Sequence, residues 1–169
     1  MVRIEVGTMS LTRIEGEIQS RGKRFAVVAA KWNTFVVDRL LESALQALSE
    51  YGVSENEITV VRVPGSFELP LAVQELASSG RYAAIIALGV LIRGETDHYQ
   101  LVVDQVAAGL SKVMLETGVP VSCGVVAAHS AELALQRAGE RNENRGFEAA
   151  LTALEMASLM TELRAAPGR

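Results

Sequence analysis

Cysteine occurs once in this chain of 169 residues, at Cys123, which excludes an internal disulfide and any cysteine-built zinc site. Histidine occurs only at His98 and His129; a helix-length segment separates the two, so they form no metal-ligand set. Aromatic residues make up 5% of the chain. The core must therefore be built from Val, Leu, Ile and Ala, as buried parallel sheets usually are. Excess positive charge is also missing: the formal net charge is −4, which argues against a general affinity for nucleic acid. No apolar run approaches the ~20 residues of a membrane-spanning helix. The opening MVRIEVGTMSLTRIEG lacks the apolar centre of a secretory signal, so a cytoplasmic location is the default expectation. There is no GxGxxG, no Walker loop, no defensible Ser–His–Asp order, no internal repeat and no low-complexity segment.

What is present is a regular alternation. The length suits one domain with a sizeable core. Four β-branched runs, Phe25–Ala30, Ile58–Val63, Ala83–Val90 and Val121–Ala128, are strand-length and continuously apolar, which predicts strands covered on both faces. Between them lie helical patterns. Over Asn33–Tyr51 the residues Val37, Leu40, Leu41, Ala44, Leu48 and Tyr51 recur at three- and four-residue spacing, with Gly52 as a stop signal. Phe67–Ser79 reads as a second helix with Pro70 in its first turn, and Thr96–Thr117 as a third, closed by Gly118 and Pro120. A short helix near Ser130–Ala138 and a longer one near Asn144–Leu163 follow. Strands alternating with helices mean right-handed βαβ units and a parallel sheet, an α/β domain. Arg13–Ile18 could add an edge strand, here or on a neighbouring subunit. The expected division is a flexible extension over residues 1–12, one domain over 13–163 and a tail over 164–169.

Mean hydropathy is +0.23 despite the scarcity of aromatics, so some aliphatic surface is expected at subunit contacts. In the last helix Phe147, Leu151, Leu154 and Ser158 form one face, while Ala150, Ala153, Met156, Ala157 and Met160 spread over the rest. Such a helix is expected to be covered by its own sheet and by another chain.

Ligands of open parallel sheets bind at the carboxyl ends of the strands. After the first strand, Trp32 and Asn33 open the loop; the lone indole either offers a flat face to a planar ligand or caps the sheet edge. After the second, Pro64-Gly65-Ser66-Phe67-Glu68 is good helix-start chemistry, with Ser66 as cap, and could also bind hydroxyl groups. After the third, Val90-Leu91-Ile92-Arg93-Gly94-Glu95-Thr96-Asp97-His98 combines a turn, helix-start N–H groups suited to phosphate, and a histidine in the first turn. There the helix dipole favours neutral imidazole, a competent proton carrier. Glu95 would repel a phosphate unless its side chain points away. After the fourth come His129, expected to be structural or solvent-facing, and Arg137 and Arg145, which either grip an oxyanion or are solvated surface charges. Cys123, mid-strand, is most simply a small buried hydrophobe.

Together, the segments AAKWNTFVVDRLLESAL, RVPGSFELPLA, ALGVLIRGETDHY, GVPVSCGVV, QRAG and NRGFEAALTALEMASL resemble the lumazine synthase family of riboflavin biosynthesis, in one register from about Ile14 to Leu163. The resemblance implies a flavodoxin-like three-layer αβα sandwich around a four-stranded parallel sheet. It implies condensation of 5-amino-6-ribitylaminouracil with 3,4-dihydroxy-2-butanone 4-phosphate, with no cofactor and no metal. It also implies a homopentamer with active sites between subunits, and in some members a shell of sixty chains. The short AGERNENRG turn looks like that of the shell-forming members.

The same resemblance assigns roles. Trp32 matches the residue that stacks on the pyrimidine; Ser66, Phe67 and Glu68 match the segment holding the ribityl chain and ring. Val90, Leu91 and Ile92 match the strand end that reads the pyrimidinedione edge. Glu95, Thr96 and Arg137 match the phosphate contacts and His98 the proton-transfer histidine; Asn33 and Arg145 are possible additions, Arg145 standing where a lysine is usual. Cys123 stands where the family commonly has a phenylalanine supplied by the adjacent subunit, and Ala127, Ala128 and His129 replace a threonine-rich stretch. These departures leave room for an alternative, a catalytically weak lumazine- or flavin-binding or shell-forming homologue.

Overall fold

A computed structural model describes residues 2–6, 9–94 and 98–165. Strands β3 (Phe25–Ala30), β4 (Ile58–Val63), β5 (Ala84–Ile92) and β6 (Val121–Ala128) form one parallel sheet in the order β4-β3-β5-β6. Helices α1 (Thr34–Glu50), α4 (Ala131–Gln136) and α5 (Arg145–Ala165) lie on one face, and α2 (Leu69–Ser78) and α3 (His98–Thr117) on the other. The three-layer α/β sandwich is therefore as expected. Three of the four strands have the bounds that their apolar runs indicate. β5 runs two residues further, to Ile92, because its pairing with β6 continues to Ala128.

The pleat divides the strand side chains between two cores. Phe25, Val27 and Ala29 of β3 and Ala84, Ile86, Leu88 and Val90 of β5 meet α1 and α5; Ala26, Val28, Ala30, Ile85 and Ala87 meet α2 and α3. Small residues allow close helix packing. A Cβ on Gly146 of α5 would lie 2.0 Å from the Leu40 carbonyl oxygen of α1, so only glycine permits this crossing.

Only the two central strands are covered on both faces. β4 is half-exposed, and β6 alternates, with Ser122, Gly124, Val126 and Ala128 buried and Cys123 and Ala127 exposed. The expectation of Cys123 as a buried hydrophobe is thus corrected: continuous apolar sequence does not bury an edge strand on a face that α3 covers only in part, leaving Val121 and Val125 half-buried and Cys123 exposed. The last helix buries one face within the chain: Phe147, Ala150, Ala153, Leu154 and Ala157 lie against α1 and the sheet, while Leu151, Met156 and Met160 are half-buried and Leu163 is exposed. Val60, Leu71, Leu101 and Leu115, on other elements, are exposed too.

Two local differences remain. Val2–Val6 (β1) and Met9–Arg13 (β2) pair as an antiparallel hairpin, an element the sequence pattern does not foreshadow. Residues 14–18 form no strand in this chain. They pass over α5 instead, so closely that a Cβ on Gly16 would lie 2.2 Å from the Glu155 carbonyl oxygen.

Candidate active site

Three strand ends converge on one cavity of about 460 Å³, lined by Trp32, Ser66, Phe67, Glu68, Val90, Leu91, Ile92, Gly94, Tyr99, Leu101 and Val102. It lies at the carboxyl ends of β3, β4 and β5, where an open parallel sheet offers backbone groups to a ligand. The opening exists because the pairing of β3 with β5 ends at Ala29 and Leu88. From Val90 to Ile92, β5 is paired only on its β6 side and leaves its other edge facing the cavity. A planar ligand with alternating donors and acceptors would fit that unpaired edge as an extra strand would.

Each wall has a local cause. Trp32 is anchored by its backbone, its N–H donating to the Pro64 carbonyl at 3.1 Å, while its side chain remains 70% exposed. It does not cap the core; Gly65 passes beneath it, where a Cβ would come within 3.0 Å of the indole. Asn33 adopts a left-handed φ of 58° and donates from Nδ2 to the Val90 carbonyl at 3.2 Å, tying the first strand end to the third. Asn33 thereby holds the wall rather than lining the cavity.

The second strand end differs from its expected form. Ser66–Glu68 is a single 3-10 turn, and α2 begins at Leu69, with Pro70 in its first turn as expected. Ser66 is not the cap: the Glu68 carboxylate accepts from the Gly65 N–H at 2.8 Å. The Ser66 hydroxyl is buried, lines the cavity and has no hydrogen-bond partner among the described residues. A buried hydroxyl without a partner costs about 1–3 kcal/mol, and a polar ligand group in the cavity would remove that cost. Gly89 makes room for it, since a Cβ there would lie 2.5 Å from Ser66 Oγ.

Glu95, Thr96 and Asp97 lie outside the described residues, as does the side chain of His98, whose backbone opens α3. Tyr99, Leu101 and Val102 complete the apolar wall. The sequence reading misses these three, although their place in the first turn after the third strand end is a usable signal.

The fourth strand end opens separately. Arg137 and Arg145 line a second cavity of about 240 Å³ with Val125, Val126 and Ala127. Asn144 brings the two arginines together. It is buried, its Nδ2 donates to the Gly139 carbonyl at 2.9 Å, and its Oδ1 accepts from the Gly146 N–H at 2.9 Å. The Arg145 N–H donates to the Arg137 carbonyl at 2.8 Å, while the Arg145 guanidinium pairs with Glu148 at 2.9 Å. His129 is exposed, and Ser130 caps α4, accepting from the Leu133 N–H at 3.3 Å, as expected. The Ser130 hydroxyl also holds the Glu132 carboxyl below the usual range. Cys123 lines neither cavity.

Among the described residues no group of three His, Cys, Asp or Glu side chains could hold a metal ion, and no helix is long and apolar enough to cross a membrane. Fold and cavity define an open parallel α/β protein with a cavity at its strand ends. A sequence model of the 6,7-dimethyl-8-ribityllumazine synthase family matches residues 22–161, and the chain belongs to that family.

Proposed function

We propose that the protein condenses 5-amino-6-ribitylaminouracil with 3,4-dihydroxy-2-butanone 4-phosphate to 6,7-dimethyl-8-ribityllumazine, in the cytoplasm, as a single domain spanning residues 13–163. One observation carries this reading. Trp32, Ser66, Phe67, Glu68, Val90, Leu91 and Ile92, on three separate strand ends, line a single cavity with an open strand edge. The indole supplies a stacking face, the β5 edge a partner for the pyrimidinedione, and Ser66 and Glu68 partners for ribityl hydroxyls. The amine adds to the ketone and loses water to form an imine, phosphate leaves by elimination, and ring closure expels a second water. No step is a redox step. Holding two substrates in register can lower the barrier by up to about 7–11 kcal/mol. Proton transfer by His98 adds on the order of 10²–10⁴-fold. Glu95, Thr96 and Arg137 receive the phosphate.

The separation of the two cavities supports a shared site. Arg137, Arg145 and Cys123 lie at the β6 end of the sheet, apart from Trp32, and would serve the cavity of an adjacent subunit in a pentamer, which could in turn build a sixty-chain shell. Incubation of the assembled protein with both substrates should produce lumazine fluorescence. Tight riboflavin binding without condensation would replace this reading with that of a binding or shell protein, for which exposed Cys123 in place of an aromatic ring is the favouring observation. Conversion of lumazine itself to riboflavin would indicate a riboflavin synthase. Arg137→Ala should raise KM for the butanone phosphate; unchanged KM and turnover would remove Arg137 from the site.

A further inference from the structure

The amino end of the sheet, opposite the candidate active site, carries a second concentration of chemistry. A cavity of about 380 Å³ there is lined by Lys23, Arg24, Arg81 and Arg164, together with Gly22, Gly80, Tyr82, Ala83, Ala157, Met160 and Thr161. Four cationic residues line one space, and no acidic residue among the described ones lines it. This is unexpected on a chain of net charge −4. The adjacent acid, Glu162, is engaged by Arg21 at 3.5 Å, outside the lining.

The cations are held in place by the fold. Lys23 precedes β3, and its ammonium donates to the Ala157 carbonyl at 2.7 Å and to the Thr161 hydroxyl. Arg164, in the last turn of α5, donates from Nη2 to the Gly118 carbonyl at 2.7 Å. Arg81 lies 5.4 Å from the centroid of the Tyr82 ring. Arg24 and Arg81 have no ion-pair partner among the described residues. Burial depresses the Lys23 ammonium below the ordinary lysine range, and the positive charges of Arg21 and Arg164 add to that, while Glu162 opposes it. Like charges crowded around a partly buried ammonium are relieved by an anion.

We propose that this cavity binds a small molecule carrying a phosphate or diphosphate group. Guanidinium forks match phosphate oxygens bidentately, and Lys23 adds a point charge at the base. The volume suits a small phosphate ester. The site is independent of the reaction at the other end of the sheet.

The test is calorimetric titration of the full-length, assembled protein with inorganic diphosphate at low salt, in an Arg137→Ala background that removes the candidate phosphate contact at the carboxyl end. Binding should persist at one diphosphate per chain and weaken as salt is raised. Adding Arg24→Gln and Arg81→Gln, both at exposed positions, should weaken it at least about fivefold without changing thermal unfolding or condensation activity. Lys23→Gln should weaken it in the same direction. Loss of all binding in the Arg137→Ala background, or indifference to the Arg24 and Arg81 substitutions, overturns the proposal. Binding of polyglutamate in place of diphosphate also overturns it, since the surface would then recognise an acidic peptide.

Discussion

At the scale of single residues, the candidate site depends on groups whose neighbours leave them something to do. Ser66 is legible in the sequence as a helix cap, but in the fold Glu68 takes that position and frees the hydroxyl for the cavity. The pocket beneath it is set by Gly89. Gly89→Ala would press a methyl group onto Ser66 Oγ and to 3.1 Å from Leu69 Cδ1. Overpacking of this kind costs about 1–3 kcal/mol; a lower melting temperature and weaker ribitylaminouracil binding should follow, and a variant with unchanged affinity would mean that Ser66 does not meet the ligand. His98→Ala tests the division between positioning and proton transfer. Turnover should fall by about 10²-fold or more yet remain measurable, and complete loss in a folded, assembled variant would contradict that division.

At the scale of elements, the turn between α4 and α5 decides whether Arg137 and Arg145 act together. Asn144 is visible in the sequence only as one polar residue in AGERNENRG; its two buried hydrogen bonds appear only when the turn is closed. Asn144→Ala should cost about 1–3 kcal/mol by leaving buried partners unpaired and should raise KM for the phosphate substrate more than for the ribitylaminouracil. Equal effects on both would separate the turn from phosphate handling. Gly146→Ala is more severe, because its Cβ would meet backbone atoms of Leu40 rather than a flexible side chain. That variant should accumulate as insoluble or partly unfolded protein, as checked by circular dichroism.

At the scale of the whole molecule, part of the aliphatic surplus evident in the composition does lie at the surface, more of it on α3 than on the helix whose sequence points to it. The helix α5 buries one face in its own chain and exposes Leu163 near its end, whereas α3 exposes Leu101, Ala108 and Leu115 along one face at seven-residue spacing. A stripe of this kind is the geometry of a helix packed on a neighbour. Sedimentation should therefore show a multimer, and Leu115→Glu should dissociate it with loss of condensation activity while the isolated chain keeps its secondary structure. A monomeric protein with full activity would refute the shared site.

Apolar periodicity by itself determined the four strands of the parallel sheet, the helices between them and the α/β class, because local burial patterns are written in consecutive residues. The motifs at the strand ends likewise named most of the cavity wall before the chain was folded. Tertiary structure decided the rest. It determined which strands are edges, hence that Cys123 is exposed, and it placed three strand ends in one cavity and the fourth in another. It also gathered Lys23, Arg24, Arg81 and Arg164 from distant segments at the opposite end of the sheet. These outcomes depend on strand order and on where neighbouring strands stop, which are relations between segments far apart in the chain and have no local signature in it.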